Sequence, residues 1–198
     1  MRNTATRYGW MTKLLHWAGA VLVLNQIAVA VVMLRTPADE TVLGVSQGAL
    51  YNWHKLMGLV LFVVVAVRLA WRGLTPLPDW APGLSRREKR AIHVVERALY
   101  GCLLVMPLSG FVFVMAGDFG VHFFSAWHLP NPIGARETLA LAAQWAHEIG
   151  AWLLVALLLA HWTIVIGHEL RHRDRYLHRM LPLVRKSPRS PEGPRARE

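Results

Sequence analysis

The feature that most constrains this chain is its last apolar stretch, AAQWAHEIGAWLLVALLLAHWTIVIGHEL, residues 142–170. It carries His147 and His161, fourteen residues apart, in an almost unbroken hydrophobic run. On an α-helix fourteen residues make close to four full turns, so both imidazoles leave from nearly one face, ~21 Å apart along the axis. The hydrocarbon core of a bilayer is ~30 Å thick, so one histidine lies toward each surface. An ionisable side chain at membrane depth is costly and needs a partner, which makes each of these a candidate functional group.

Composition agrees with a membrane protein. Of 198 residues, 54% are hydrophobic and 17% charged, too apolar for an ordinary soluble domain. The net charge of +10 alone could suggest a nucleic-acid partner. The positive residues, however, are segregated between hydrophobic runs, as topology demands, so no nucleic-acid partner is expected. Cys102 is the only cysteine. An intrachain disulfide is therefore impossible, and Cys102 reads as a small packing residue. The absence of C-x-x-C-H excludes covalent c-type haem attachment.

Four hydrophobic runs predict membrane spans at about 14–34, 51–71, 92–116 and 142–168, in one domain of residues 1–184. Residues 185–198 read as a basic, disordered cytoplasmic tail. Ala28-Val29-Ala30 resembles a signal cleavage site, but the first run is long and carries His16, Asn25 and Gln26, so it reads as a span. Pro107 and Gly110 are tolerated irregularities of the third span. The loop 117–140 carries Asp118, His122, His128, Pro130, Pro132 and Glu137, and its VHFFSAW portion is expected at the interface as a short amphipathic piece. Four spans put the N-terminus, the 72–97 connection and the tail on one side. The other side receives only Arg35, Lys55 and Arg136 of the 22 basic residues. The positive-inside rule then places both termini in the cytoplasm of a bacterial inner membrane.

Topology also decides which histidines can meet. The first span runs outward, so His16 lies near the cytoplasmic surface; the second runs inward, so His54 lies near the outer one. Span four also runs inward, with His147 outer and His161 inner. Depth pairs His16 with His161 and His54 with His147. The expected architecture is all-α, a four-helix transmembrane bundle enclosing two b-type haems, each gripped by one pair, with the third span closing the bundle. Zinc is the inorganic rival, but its sites gather three or four ligands in one cluster, whereas these histidines form separated pairs.

Neighbouring residues sharpen the expectation. Gly19, Gly58 and Gly150 fall three or four residues after His16, His54 and His147 and share their faces, clearing room for a cofactor; ordinary helix packing also uses such glycines. Arg68, fourteen residues after His54, reaches cytoplasmic depth, where it can bond a propionate of the inner haem or snorkel to the surface. His168 can bond a quinone carbonyl or a propionate, or face lipid headgroups. His93, His172 and His178 read as solvated or headgroup residues, and His122 and His128 as possible shapers of an outer-surface site. Asn25 and Gln26 are expected to make interhelical hydrogen bonds.

These residues resemble the bacterial cytochrome b561 family. The resemblance is carried by Leu15-His16-Trp17, HKLMGLVLFVVVAVRLAWR in the second span, LYGCLLVMPLSG in the third, HEIGAWLLVALLLAH in the fourth, and D-x-x-L-x-R-M-L-P from Asp174 to Pro182. It covers about residues 8–184 and lies in the order and spacing of these segments. It implies that His16, His54, His147 and His161 are axial haem ligands, and that Arg68 and His168 match an arginine and a histidine of the family pattern. It further implies two haem b groups, electron exchange with membrane ubiquinone and, for some members, a superoxide:ubiquinone oxidoreductase activity. The loop 117–140 and the tail are where the analogy is thinnest.

Two rival functions remain at the level of sequence. One is a cytochrome b subunit anchoring a dehydrogenase or hydrogenase, which requires a soluble redox protein as partner. The other is a non-redox membrane binding or interaction module whose histidines only hydrogen-bond. No general acid, nucleophile or hydrolytic motif is present. Arg136 and Lys55 are fixed positive charges on the outer side able to collect an anion such as superoxide.

Overall fold

The computed structural model describes residues 2–80, 83–123, 127–172 and 179–181. His178, most of the Asp174–Pro182 motif and the tail lie outside the described residues, as does the side chain of His172. Four long helices dominate: α1 (Trp10–Arg35), α2 (Gln47–Leu74), α3 (Arg86–Ala116) and α4 (Glu137–His172). All four are long and apolar enough to cross a membrane. The protein is a multi-pass, four-helix membrane bundle.

Local chemistry sets the helix ends. The Ser46 hydroxyl accepts from the Ala49 amide at the start of α2. At α3, Ser85 and Glu88 form a reciprocal capping box, each side chain accepting the other's backbone N–H. Between α1 and α2 a tight hairpin pairs β1 (Thr41–Val42) with β2 (Val45–Ser46). Its turn is Leu43-Gly44, both with positive φ. Two successive positive φ values match the right-handed twist of the flanking strands, and glycine takes the second of them without strain. The expected interfacial piece of the 117–140 loop is instead a second hairpin. Its strands β3 (His122–Phe123) and β4 (Trp127–His128) pair antiparallel, with His122 opposite His128.

Packing is uneven. α3 lies along α4, α1 lies along α2, and α2 meets α3 less extensively. Among the described residues α4 makes no comparable backbone approach to α1 or α2. A seam therefore runs the length of the bundle between α4 and the α1–α2 pair. Midway along it the seam is closed by an apolar layer of Val23, Leu61, Val65, Cys102 and Leu154, contributed by all four helices. Leu154 lies seven residues from both His147 and His161, and Leu61 seven from His54, about two turns away in each case. Large aliphatic and aromatic side chains such as Trp152, Ile149, Val63 and Leu159 point outward and are well exposed, as a lipid-facing surface requires.

Candidate functional site

The four histidines of the bundle meet in two pairs across the seam. His16 on α1 faces His161 on α4, with ring centres 6.5 Å apart. His54 on α2 faces His147 on α4, with ring centres 6.2 Å apart. An imidazole binds a first-row metal at about 2 Å, which puts the ring centre about 3 Å from the metal, so two rings on opposite sides of one metal stand roughly 6 Å apart. Both separations suit that trans arrangement. The helices carrying each pair are held apart while their imidazoles reach toward one another. A flat group can enter such a gap from the side.

The His54–His147 pair, outer in the expected topology, is braced by α3. The His147 ring donates through Nδ1 to the Met106 carbonyl at 2.9 Å, and the Ser109 hydroxyl lies 3.3 Å from the same nitrogen. Pinning Nδ1–H to a backbone carbonyl fixes the tautomer, and Nε2 is left with the free lone pair. Gly110 makes this possible: a Cβ there would stand 3.0 Å from the His147 ring. Across the gap, the buried Nδ1 of His54 has no hydrogen-bond partner. Its backbone carbonyl accepts from the Gln26 side chain at 3.1 Å, while Gln26 Oε1 is likewise buried without a partner. Unsatisfied polar atoms at membrane depth are costly. Two of them beside one histidine pair fit a site that receives a further group.

The His16–His161 pair, inner in the expected topology, is braced by charge. Arg68 donates through a guanidinium nitrogen to His16 Nδ1 at 2.9 Å. Tyr100 lies beneath Arg68 and Arg72, whose guanidinium carbons are 5.3 and 5.7 Å from its ring centre. Arg72 forms an ion pair with Glu96 at 2.6 Å. Arg68, Trp71, Arg72, Glu96, Tyr100 and Thr12 help line a cavity of about 40 Å³, room for a water or two. Burial raises the Tyr8 phenol above its ordinary pKa at the cavity rim. Residues 179–181 close this end: Trp17 donates to the Met180 carbonyl and Lys13 to the Leu181 carbonyl, both at 2.9 Å.

The remaining candidates are distributed more widely. A Cβ at Gly19 would meet nothing within 4 Å, so that face of α1 is open. At Gly58 the nearest atom to a Cβ is the Gln26 amide nitrogen, 3.7 Å away. Gly150 faces α3, where a Cβ would come within 2.6 Å of the Met106 sulfur. His168 is buried on α4. His93 is half-exposed, packed edge-on against Trp80. Asn25 accepts from Trp53 Nε1, and Gln26 bonds the His54 carbonyl, so both bridge α1 and α2. Sequence reasoning passed over Met106 and Ser109, and read Gly110 only as an irregularity. No periodicity marks a backbone carbonyl as a histidine's partner. Gly110 next to Ser109, on the helix that supplies no histidine to either pair, was the available signal.

A profile of the prokaryotic cytochrome b561 family matches residues 7–183. The chain belongs to the prokaryotic cytochrome b561 family. It is also similar to cytochrome b561 homolog 2 of Escherichia coli (strain K12), 26% identical over 182 residues, covering 90% of this chain and 93% of that one. Membership makes it a membrane b-type cytochrome of electron transfer. A b-type haem is held by ligation and packing alone, and the bundle's half-buried imidazoles have the chemistry for that.

Proposed function

We propose that this b561-family member carries two haems and moves electrons across a bacterial inner membrane, from an outer donor to ubiquinone at the cytoplasmic side. The observation supporting it is the pairing of His54 with His147 and His16 with His161 at two depths of one seam. Haem iron, when bound, supplies reversible one-electron chemistry at each level.

The chain's own residues do the rest. His147 is oriented by the Met106 carbonyl, so that its Nε2, together with His54 on α2, would hold the iron. Ligation of His16 through Nε2 requires a proton on Nδ1, which then cannot accept from Arg68. Holding a cofactor thus releases the guanidinium from His16 to another acceptor, and a haem propionate is the bidentate acceptor such a group favours. The apolar layer of Val23, Leu61, Val65, Cys102 and Leu154 keeps water out between the two levels. Gly19 leaves open the α1 face beside His16. Gly150 lets α4 approach Met106 on α3, and Gly58 leaves ordinary van der Waals room beside Gln26. At the cytoplasmic end His168, buried on α4, would bond a quinone carbonyl or a propionate. At the outer end Lys55 and Arg136 collect an anionic donor such as superoxide. With both termini cytoplasmic, the 121–129 hairpin faces the outer compartment.

The test is stopped-flow mixing of the purified, haem-loaded protein with superoxide, with and without a ubiquinone analogue. The expected result is haem reduction by superoxide and reoxidation by the quinone. A haem-replete protein inert to superoxide overturns this donor. Co-purification with a soluble dehydrogenase or hydrogenase would then mark the chain as an anchoring subunit. A colourless preparation overturns the whole reading.

A further inference from the structure

One histidine pair lies outside the seam. His122 and His128 are cross-strand partners in the β3–β4 hairpin, and their Nδ1 atoms face each other. Their rings are nearly perpendicular, at 84°, with centres 4.4 Å apart. The distance is diagnostic when set beside the seam pairs. With ring centres about 3 Å from a shared metal, rings in adjacent positions at a right angle stand roughly 4.5 Å apart, against roughly 6 Å for rings on opposite sides. The seam pairs have the second separation and this pair the first. The two Nδ1 atoms face each other within hydrogen-bond reach, so a small opening of the rings lets both nitrogens hold one cation.

The pair is also held in place. Asn52 on α2 grips His122 by its backbone twice, accepting from the His122 amide at 3.1 Å and donating to its carbonyl at 2.7 Å. Lys55 Nζ donates to the Gly120 carbonyl at 2.8 Å, so its ammonium is engaged by the backbone just before the hairpin. Leu129 N–H closes the other edge on the Val121 carbonyl at 3.0 Å. A binding pair whose backbone is already fixed loses little freedom when a ligand arrives. His128 is exposed, so a cation can reach the pair from solvent.

We propose that His122 and His128 form a surface site for a divalent transition-metal cation, with Cu²⁺ the preferred occupant. The site does not depend on the haem reading. Imidazole suits copper, nickel and zinc, but a closed zinc site gathers three or four protein ligands, and this pair offers two. Cu²⁺ also stands at the top of the divalent affinity order. Water completes the coordination, so exchange is fast and affinity modest.

The experiment is titration of the full, haem-loaded chain in detergent with Cu²⁺, read by calorimetry and by electron paramagnetic resonance. One Cu²⁺ with hyperfine structure from two equivalent nitrogens is expected. His122→Gln and His128→Gln should each weaken binding at least tenfold and leave the haem spectrum unchanged, which shows that the bundle is intact. His172→Ala combined with His178→Ala should leave the signal in place, separating the hairpin from the histidines near the C-terminus. Binding that survives both single Gln substitutions, a signal from one nitrogen only, or no binding at all overturns the site.

Discussion

The two ends of the seam hold their histidines by different means. At the outer end neutral groups do it: a backbone carbonyl on His147, a glutamine amide on the His54 carbonyl, and a glycine cleared for the ring. Among the described residues the inner end shows no comparable carbonyl on its imidazoles. A guanidinium on His16, with a tyrosine beneath and an ion pair beside it, takes its place. Hydrogen bonds to backbone fix orientation with little effect on net charge, whereas a fixed cation sets the local potential. The outer end is built for rigid placement, and the inner end for electrostatic tuning of whatever binds there.

The largest expected effect breaks the symmetry outright. His147→Ala and His161→Ala should each halve the haem-to-protein ratio, by pyridine haemochrome assay, and leave the other centre spectrally intact. If either variant keeps its full haem complement, the pairing is wrong. Next come the glycines, where the two ends diverge again. Gly110→Ala pushes a Cβ to 3.0 Å from the His147 ring. Overpacking of this kind costs ~1–3 kcal/mol, enough to weaken the outer haem several-fold or more. Gly19→Leu enters space with no protein atom within 4 Å of its Cβ. It should leave the stability of the haem-free protein unchanged but lower inner haem occupancy. Equal occupancy in wild type and Gly19→Leu would mean that no cofactor uses this enclosed space.

These contrasts also show what was legible beforehand. The four spans could be read because apolar runs of membrane length have few other uses, and the pairing of His16 with His161 and His54 with His147 because depth follows from topology alone. What could not be read depends on rotation about helix axes. Gly150 turns toward Met106 on α3, and Gly110, which clears the His147 ring, sits on a helix whose histidine, His93, lies near its other end. The VHFFSAW segment concealed a hairpin because two-residue strands leave too short an alternation to detect.

Charge gives a smaller effect, confined to one end. Arg68→Gln removes the guanidinium next to His16 and leaves the outer pair untouched. A nearby cation favours the reduced, less positive haem, so the inner midpoint potential should fall by tens of millivolts, where ~59 mV is one tenfold change for a one-electron couple. Redox titration in detergent resolves the two centres. A fall shared equally by both would mean that Arg68 acts on the bundle as a whole rather than on its inner end.

The smallest effect is expected at Gln26→Leu, on the outer end. The substitution deletes the bond to the His54 carbonyl, and interhelical bonds in membranes contribute only ~0.6 kcal/mol on average. It also removes Gln26 Oε1, a buried oxygen without a partner, whose desolvation costs ~1–3 kcal/mol. The two terms oppose each other, so the variant should unfold in detergent within ~1 kcal/mol of wild type, or slightly later. A neutral result identifies Gln26 as an adjustable spacer between α1 and α2. A loss above ~2 kcal/mol would show instead that Oε1 is satisfied in the loaded protein. The outer end would then rely on a polar network that includes its bound group, much as the inner end relies on Arg68.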